Sequence, residues 1–295
     1  MTARACCLFV ALVACAVPVT TVQAQAASPE GEGLRWTGAR RVGLPEYAVI
    51  AGAPVLLRIA EFAVPEPTGS RLGGGVLFDD DVRAALRVES RDARDDANLF
   101  SDASWLSSMA YPFVDALVVA WLVRGSPDVA FQLVVLSAQS FAITAFVTEL
   151  SIHRLARERP GKSECALDSN YSETCAEPSA FRSLPSGHTS GAFTGAALAC
   201  AHHLNVPLYG DGLADVAACG LALAWASAGG VARIMTDRHW ASDVLLGAGI
   251  GLSIGWLLPE LVYYTSVPLD DAGGRASLTP VALDGGVGLV GVGQF

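Results

Sequence analysis

Charged side chains are scarce in this sequence, which limits the kinds of protein it can be. They make up 16% of the 295 residues, whereas hydrophobic residues make up 52% and the mean hydropathy is +0.42. Soluble domains usually carry about 25% charged residues. The composition therefore favours a membrane protein, or else a soluble bundle with an unusually apolar core.

Positive charge is scarcer than negative charge, and lysine is almost absent. Lysine and arginine number 19 against 29 acidic residues, the formal net charge is -10, and Lys162 is the single lysine. Proteins that bind nucleic acid need a basic footprint to meet the backbone phosphates. The charge balance argues against a nucleic-acid partner, and an anion site in this chain has to rely on arginine.

The first residues have the pattern of an export signal. Arg4 precedes an apolar run at residues 5–19, and small residues that suit cleavage follow at 22–26. We therefore expect residues 1–24 to be a signal peptide. Two alternatives stay open, namely an uncleaved membrane anchor and lipoprotein processing at Cys15.

Cysteine usage agrees with export. Cys165 and Cys175 flank a polar, turn-rich stretch, and disulfides persist outside the cytoplasm. Closing a loop of about ten residues would stabilise the fold by roughly 2–3 kcal/mol. We predict a disulfide between these two residues, with a pair of free thiols as the alternative.

The N-terminal region, residues 25–107, contains one apolar stretch and one polar stretch. Residues 45–64 are apolar but carry Arg58 and Glu61, so they predict a packed helix rather than a lipid-facing one. Residues 65–105 are rich in glycine and aspartate, and they predict a polar connection with a short helix near 80–88.

Residues 108–264 predict a core of apolar helices, and residues 265–295 a C-terminal tail with a short hairpin. Five apolar segments fill the core: 108–123, 129–152, 188–204, 213–234 and 242–264. A spanning helix needs about 20 residues, and short links make consecutive helices antiparallel. We expect an all-α antiparallel bundle, embedded in a membrane, with the active site at one end. If the signal is cleaved and 45–64 does not span, the loop after residue 152 lies outside.

Two pairs of residues lie near the turn between the third and fourth apolar segments. Cys200 and Cys219 are equidistant from the centre of the turn and should face each other. They could be bonded in a soluble periplasmic protein, whereas in a membrane protein we expect them to stay reduced near the cytoplasmic side. His202 and His203 are predicted to be capping or surface residues.

Three polar clusters fall at the ends of the predicted helices, on the predicted outer side. They are residues 157–160 (Arg-Glu-Arg-Pro), residues 185–188 (Pro-Ser-Gly-His), and Arg233 with His239 and Asp243 at spacings of six and four. Each has a structural interpretation by itself, because arginine complements a helix C-terminus, Ser caps a helix N-terminus, and His and Asp one turn apart form surface pairs.

Together the clusters contain what phosphoryl transfer needs. The transferred group carries negative charge on three oxygens, so catalysis depends on positioned cations and N–H donors. Arg159 and Arg233 supply guanidinium forks. Ser186 and the Gly187 backbone N–H lie at a helix N-terminus, which binds anions.

Two histidines would divide the chemistry. A neutral His239 could attack phosphorus, with Asp243 one turn later holding its tautomer. His188 is placed to protonate the leaving oxygen as the general acid. Hydrolysis with two metals would need a carboxylate cluster, and none accompanies these motifs. We therefore expect no metal and no cofactor.

The three motifs, in this order, resemble those of the phosphatidic acid phosphatase type 2 superfamily, which includes lipid phosphatases, bacterial acid phosphatases and vanadium haloperoxidases. The resemblance implies a phosphohistidine on His239, with His188 as the acid and Arg159, Ser186, Gly187 and Arg233 as phosphate ligands.

Two positions depart from the pattern of that superfamily. Ile152 stands where the first motif has lysine, and Ala232 stands where the third has serine. Arg154 has a long side chain, and we predict that it replaces the motif lysine.

The resulting hypothesis is a phosphatase for lipid phosphates, such as phosphatidate or a polyprenyl diphosphate, in a bacterial inner membrane with its site facing the periplasm. Its partners would be the lipid substrate and the bilayer, and the sequence leaves the oligomeric state open. A soluble periplasmic acid phosphatase is the first alternative. A non-catalytic relative that binds phosphorylated lipid is the second, because the motif lysine is missing.

Overall fold

A bundle of long helices forms most of the molecule. The computed structural model describes residues 33–172, 175, 179–210, 212–265, 276–283 and 286–293. The expected signal peptide at 1–24 lies outside these residues. The helical architecture confirms the all-α fold predicted from the sequence.

The helices follow one another with short connections. In chain order they are α1 (Leu44–Ala63), α2 (Asp79–Leu86), α3 (Arg91–Val114, continued by π-helical Asp115–Val123), α4 (Pro127–Leu155), α5 (Lys162–Cys165), a 3-10 turn (Ser179–Phe181), α6 (Gly187–Asn205), α7 (Leu213–Met235) and α8 (Ala241–Leu252, continued by π-helical Ser253–Leu257 and Glu260–Tyr264).

Local sequence signals explain where the main helices begin and end. Pro127 opens α4 at a position where proline is well tolerated. Ala156 ends the same helix in the left-handed conformation, with φ 45°. Ser90 caps α3 by accepting a hydrogen bond from the Ala93 N–H, and Ser186 caps α6 in the same way.

Helix α6 lies at the centre of the bundle and contacts α3, α4, α7 and α8. Nearly all of its side chains are buried. Glycines let the neighbouring backbones approach closely, because a Cβ at Gly195 would lie 2.0 Å from the Ser108 carbonyl oxygen and one at Gly255 would lie 2.4 Å from the Thr194 carbonyl oxygen. The inner helix is therefore in backbone contact with its neighbours.

Among the described residues, four helices are long and apolar enough to cross a membrane: Arg91–Val123, Pro127–Leu155, Leu213–Met235 and Ala241–Tyr264. Large apolar side chains on the outer surface are exposed, among them Trp121 and Leu122. Such surfaces are costly in water and suit a hydrocarbon environment. These four helices indicate a membrane protein.

The N-terminal region contains more helix than the sequence predicted. The predicted helix at 45–64 is present as α1, which packs on α4, and the short helix near 80–88 is present as α2. The connection predicted to run to residue 105 ends early, because α3 begins at Arg91. Its first turns are rich in charged residues and obscured the helical pattern in the sequence.

Two disulfides lie within the part of the chain that the structure describes. Cys165 is bonded to Cys175, with the Cα atoms 5.4 Å apart, as predicted. Cys200 is bonded to Cys219, with the Cα atoms 4.3 Å apart, so the expectation of reduced thiols in a membrane protein was wrong. Both residues of the second pair are buried between α6 and α7. Thiol exchange requires that a thiol reach the disulfide, so this burial protects the bond from reduction.

The two histidines near the end of α6 are buried, so their prediction as capping or surface residues was wrong. His203 lies between two carboxylates, with Nδ1 2.6 Å from Asp215 and Nε2 3.0 Å from Asp115. His202 Nδ1 lies 2.9 Å from the Tyr264 hydroxyl. These partners come from other helices, and the sequence gives no sign of the pairing.

The residues from Thr265 onward form a second compact unit. Its described part is an antiparallel hairpin of β1 (Ala276–Leu283) and β2 (Gly286–Gly293), in which Ala276 pairs with Gly293. The hairpin expected in the tail is thus present.

Candidate active site

The three sequence motifs meet at one end of the bundle. Because the helices are antiparallel, the end of α4, the start of α6 and the turn between α7 and α8 lie at the same end. Backbone hydrogen bonds join them: the Ser186 N–H donates to the Asp243 carbonyl at 3.1 Å, and the Gly161 N–H donates to the Asp237 carbonyl at 3.1 Å. The fold thus brings together residues that are more than fifty positions apart.

His239 is buried, and its ring orientation is set by a backbone carbonyl. Its Nδ1 lies 2.7 Å from the Ser183 carbonyl oxygen. Since a carbonyl can only accept, Nδ1 must carry the proton and Nε2 keeps its lone pair. Burial, followed by repulsion from Arg159 and Arg233, lowers the pKa of His239 well below its usual value. The imidazole is therefore neutral, with its free lone pair on Nε2.

Asp243 holds His239 indirectly. The one-turn spacing predicted a direct hydrogen bond, but the Asp243 carboxylate is 4.0 Å from His239 Nδ1. It accepts instead from the Ser183 hydroxyl at 2.6 Å and from the Trp240 N–H at 2.8 Å. Asp243 thus fixes Ser183, whose carbonyl fixes the imidazole.

A buried ion pair network supports this carboxylate from behind. Arg157 donates to Asp243 at 2.6 Å and to Asp79 at 2.7 Å. Asp79, on α2, also accepts from the Ser242 hydroxyl at 2.7 Å. No role for Arg157 or Asp79 was predicted from the sequence. Arg157 lies within the first motif, whereas no sequence signal distinguishes Asp79.

His188 has a carboxylate partner that was not predicted from the sequence. Its Nε2 lies 2.9 Å from Asp102 Oδ1, on α3, and its ring centroid is 4.9 Å from that of Trp105. Burial and the nearby Arg233 lower the pKa of His188 to about 4, while Asp102 acts in the opposite direction. Asp102 falls in the stretch that was predicted to be a loop, so its position in the site could not be foreseen.

The two motif arginines are held in place by contacts with the surrounding protein. Arg159 donates from Nε to the Ser179 carbonyl at 2.7 Å and from Nη1 to the Arg238 carbonyl at 2.9 Å. Burial, followed by repulsion from Arg233 and Arg238, lowers the pKa of Arg159 to about 9. Arg233 is almost fully buried, and its Nε has no hydrogen-bond partner within the described chain. Such crowded cations favour an anion between them.

The start of α6 adds backbone donors. The first N–H groups of a helix have no partner within it. The Ser186 hydroxyl accepts from the Thr189 N–H at 3.4 Å and from the Thr189 hydroxyl at 2.9 Å. The helix N-terminus at Gly187 and His188 therefore opens towards the same end of the bundle as the arginines.

A pocket of about 500 Å³ opens beside these groups. It is lined by Leu99, Asp102, Ala103, Trp105, Leu106, His188, Arg233 and Arg238. Arg154, the predicted substitute for the motif lysine, is exposed on the last turn of α4 and does not line this pocket. Arg238 does line it. Ile152, at the lysine position, is buried.

Comparison with known proteins places this part of the chain in a family. Residues 133–266, which include the three motifs, match the model of the PAP2 superfamily. Residues 133–266 are a PAP2 domain. This confirms the family resemblance inferred from the motifs.

One curated relative of the PAP2 domain is the lipid A 1-phosphatase of Porphyromonas gingivalis, which is 42% identical over 87 residues. That match covers 30% of this chain and 17% of the relative, so it compares only part of the two proteins. No solved structure is significantly similar to the chain.

Proposed function

We propose that this protein is a phosphatase that transfers the phosphoryl group of a lipid phosphate to His239 and then to water. The observation that carries the proposal is the meeting of four groups at one end of an apolar bundle. Arg159 and Arg233 both lower the pKa of His188 and of His239, so the four side chains lie within electrostatic reach of one another.

In the first step His239 Nε2 attacks phosphorus. The N–P bond forms while the bond from phosphorus to the leaving oxygen breaks, and His188 gives its proton to that oxygen. In the second step neutral His188 takes a proton from water, the new oxygen–phosphorus bond forms, and the N–P bond to His239 breaks. Phosphate leaves, and both histidines return to their starting protonation states.

The surrounding donors would stabilise the charge on the transferred group. Arg159, Arg233 and the Gly187 N–H are the proposed ligands of its equatorial oxygens, and Ser186 shapes the start of the helix that presents Gly187. We assign to Arg238 the cationic role that the motif lysine would have. Asp243 is a positioning residue, because it acts on His239 through Ser183.

The apolar surface of the bundle favours a lipid as the substrate. Leu99 and Leu106 line the pocket and are 70% and 64% exposed, so the pocket lies beside a surface that suits hydrocarbon. A lipid could then present its phosphate to the arginines while its chains stay in the bilayer. The similarity to a lipid A 1-phosphatase agrees with this class, which includes phosphatidate and polyprenyl diphosphates.

We infer that the site faces the periplasm of a bacterial inner membrane. Cys165 and Cys175 lie in the segment that connects α4 to α6, the two helices whose adjoining ends carry the first and second motifs. Disulfides persist in oxidising compartments. The expected signal peptide supports the same orientation.

The deciding experiment measures phosphate release by the purified protein in detergent, in the presence of EDTA. The wild type should release phosphate from phosphatidate or polyprenyl diphosphate, and His239→Ala should lose essentially all activity. Thermal unfolding of the variant checks that it remains folded. Release by a folded His239→Ala variant at the wild-type rate would remove the proposed nucleophile.

A soluble periplasmic acid phosphatase is the second candidate, and the Cys200–Cys219 bond favours it. That bond lies near the end of α6 opposite the motifs, which a spanning bundle would place towards the cytoplasm. Cell fractionation separates the two candidates, because osmotic shock would release the soluble form whereas the membrane form requires detergent. A non-catalytic lipid-binding protein would bind the substrate without releasing phosphate in the assay above.

A further inference from the structure

A second cavity, of about 460 Å³, forms an apolar groove on the surface of the bundle between α3, α6 and α7. Its apolar walls include Ala110, Tyr111, Val114, Ala196, Ala222 and Trp225. We call it the α3 groove. It is wide because alanines from three helices face it, while Gly195 lets α3 pack directly against α6 beneath it.

The α3 groove continues along α3 from the pocket of about 500 Å³ that His188 and Arg233 line. Trp105 and Leu106 line the pocket, and Ser107 and Ser108, which follow directly, line the groove. Trp225 lies at the wall of the groove, where its Nε1 donates to the Ser107 hydroxyl at 2.9 Å. The two cavities are therefore consecutive along α3, the first polar at its base and the second apolar.

The far end of the α3 groove is held by polar contacts. The Tyr111 hydroxyl lies 3.0 Å from the Tyr209 hydroxyl, which donates to Asp115 at 2.8 Å. Asp115 in turn hydrogen-bonds to the buried His203. From Trp105 to Val114 the helix rises by roughly 13 Å, so the groove suits a hydrocarbon chain of limited length beside Tyr111.

We propose that the α3 groove binds one acyl chain of the lipid substrate while the phosphate occupies the pocket lined by His188 and Arg233. The inference rests on the proposed function and adds a chain-binding subsite to it. A chain in the groove would exchange the mobile environment of the bilayer for fixed contacts. These contacts begin at Ser107, two residues after Trp105, whose ring lies beside His188. Those contacts would orient the phosphate, so long-chain substrates should react with a higher kcat/KM than short-chain ones.

The test fills the groove by Ala222→Leu and compares Ala224→Leu as the control. Ala224 is exposed on the same helix and does not line the groove, because a shift of two residues turns the side chain by roughly 200°. Each variant is assayed with a long-chain phosphatidate, a short-chain phosphatidate and p-nitrophenyl phosphate. Ala110→Leu, at an exposed groove position on α3, provides a second filling variant if Ala222→Leu is unstable.

We expect the filling variants to lose about tenfold in kcat/KM for the long-chain lipid and to keep wild-type activity on p-nitrophenyl phosphate. The control should match the wild type on all three substrates. Equal losses on every substrate, or no loss on the long-chain lipid, would overturn the acyl-chain subsite while leaving the phosphatase intact. If the wild type hydrolyses none of the three, the proposed function fails, and this inference fails with it.

Discussion

The role of the contact between Asp102 and His188 can be tested by a single conservative substitution. The substitution Asp102→Asn removes a negative charge 2.9 Å from His188 Nε2 and keeps a side chain of the same shape that can still accept a hydrogen bond. His188 has to be protonated to act as the general acid. The activity of the protein should therefore fall as the pH rises through the pKa of His188.

The size of the effect follows from the exposure of the pair. Two unit charges at 4 Å interact by about 1 kcal/mol in water and about 4 kcal/mol near a protein surface. The side chains of Asp102 and His188 are 55% and 31% exposed, so solvent screening favours the low end, about 1 kcal/mol. Asp102 opposes the factors that lower the pKa of His188 to about 4. Its removal should lower that pKa further, by somewhat less than one unit, since one unit corresponds to about 1.4 kcal/mol.

The measurement is kcat/KM against pH across the acidic and neutral range, with an alkyl phosphate whose leaving group needs a proton. The descending limb of Asp102→Asn should move to lower pH, and activity above the limb should fall about fivefold, the factor that 1 kcal/mol represents. Activity well below the limb should be unchanged. Asp96→Asn, an exposed carboxylate on the same helix, is the matched control. A limb that stays in place, or one that moves to higher pH, refutes the assigned role of Asp102.

Two further predictions concern stability and are measured by thermal or denaturant unfolding in detergent. Gly195→Ala should destabilise the bundle by about 3 kcal/mol, because the new Cβ would lie 2.0 Å from the Ser108 carbonyl oxygen. The control, Gly220→Ala, has nothing within 4 Å of the new Cβ and should stabilise the protein by about 0.5–1 kcal/mol. Equal effects at the two positions would contradict the close packing at Gly195. Asp79→Ala should cost about 3–5 kcal/mol, because it leaves the buried Arg157 with one carboxylate instead of two; a loss below about 1 kcal/mol would mean that the network contributes little.

The apolar helices could be predicted from the sequence because their signals are local. Ser186 before Gly187 indicates a helix start, and the short links between apolar segments indicate antiparallel neighbours. The first turns of α3 could not be predicted, because their charged residues resemble those of a solvated connection. The early start at Arg91 places Asp102 on a helix beside His188, and only the packing of α3 on α6 reveals it.

The candidate site could be predicted as a set of residues but not as a set of contacts. Spacing along the chain brought His239 and Asp243 within one helical turn, which suggested a direct hydrogen bond. In the folded chain Ser183 lies between them, and it comes from a segment more than fifty positions earlier. Asp79 is likewise paired through the fold with Arg157, so its partnership has no counterpart in sequence spacing.

The bond between Cys200 and Cys219 acts at a distance from the chemistry. The helices it joins, α6 and α7, carry His188 and Arg233 near their other ends, and the bond sits 13 residues along α6 from Gly187 and 14 residues along α7 from Arg233. A disulfide at that position prevents α6 from sliding along its axis past α7. The disulfide, roughly 20 Å away, thus fixes the alignment of Arg233 with His188, the proposed proton donor.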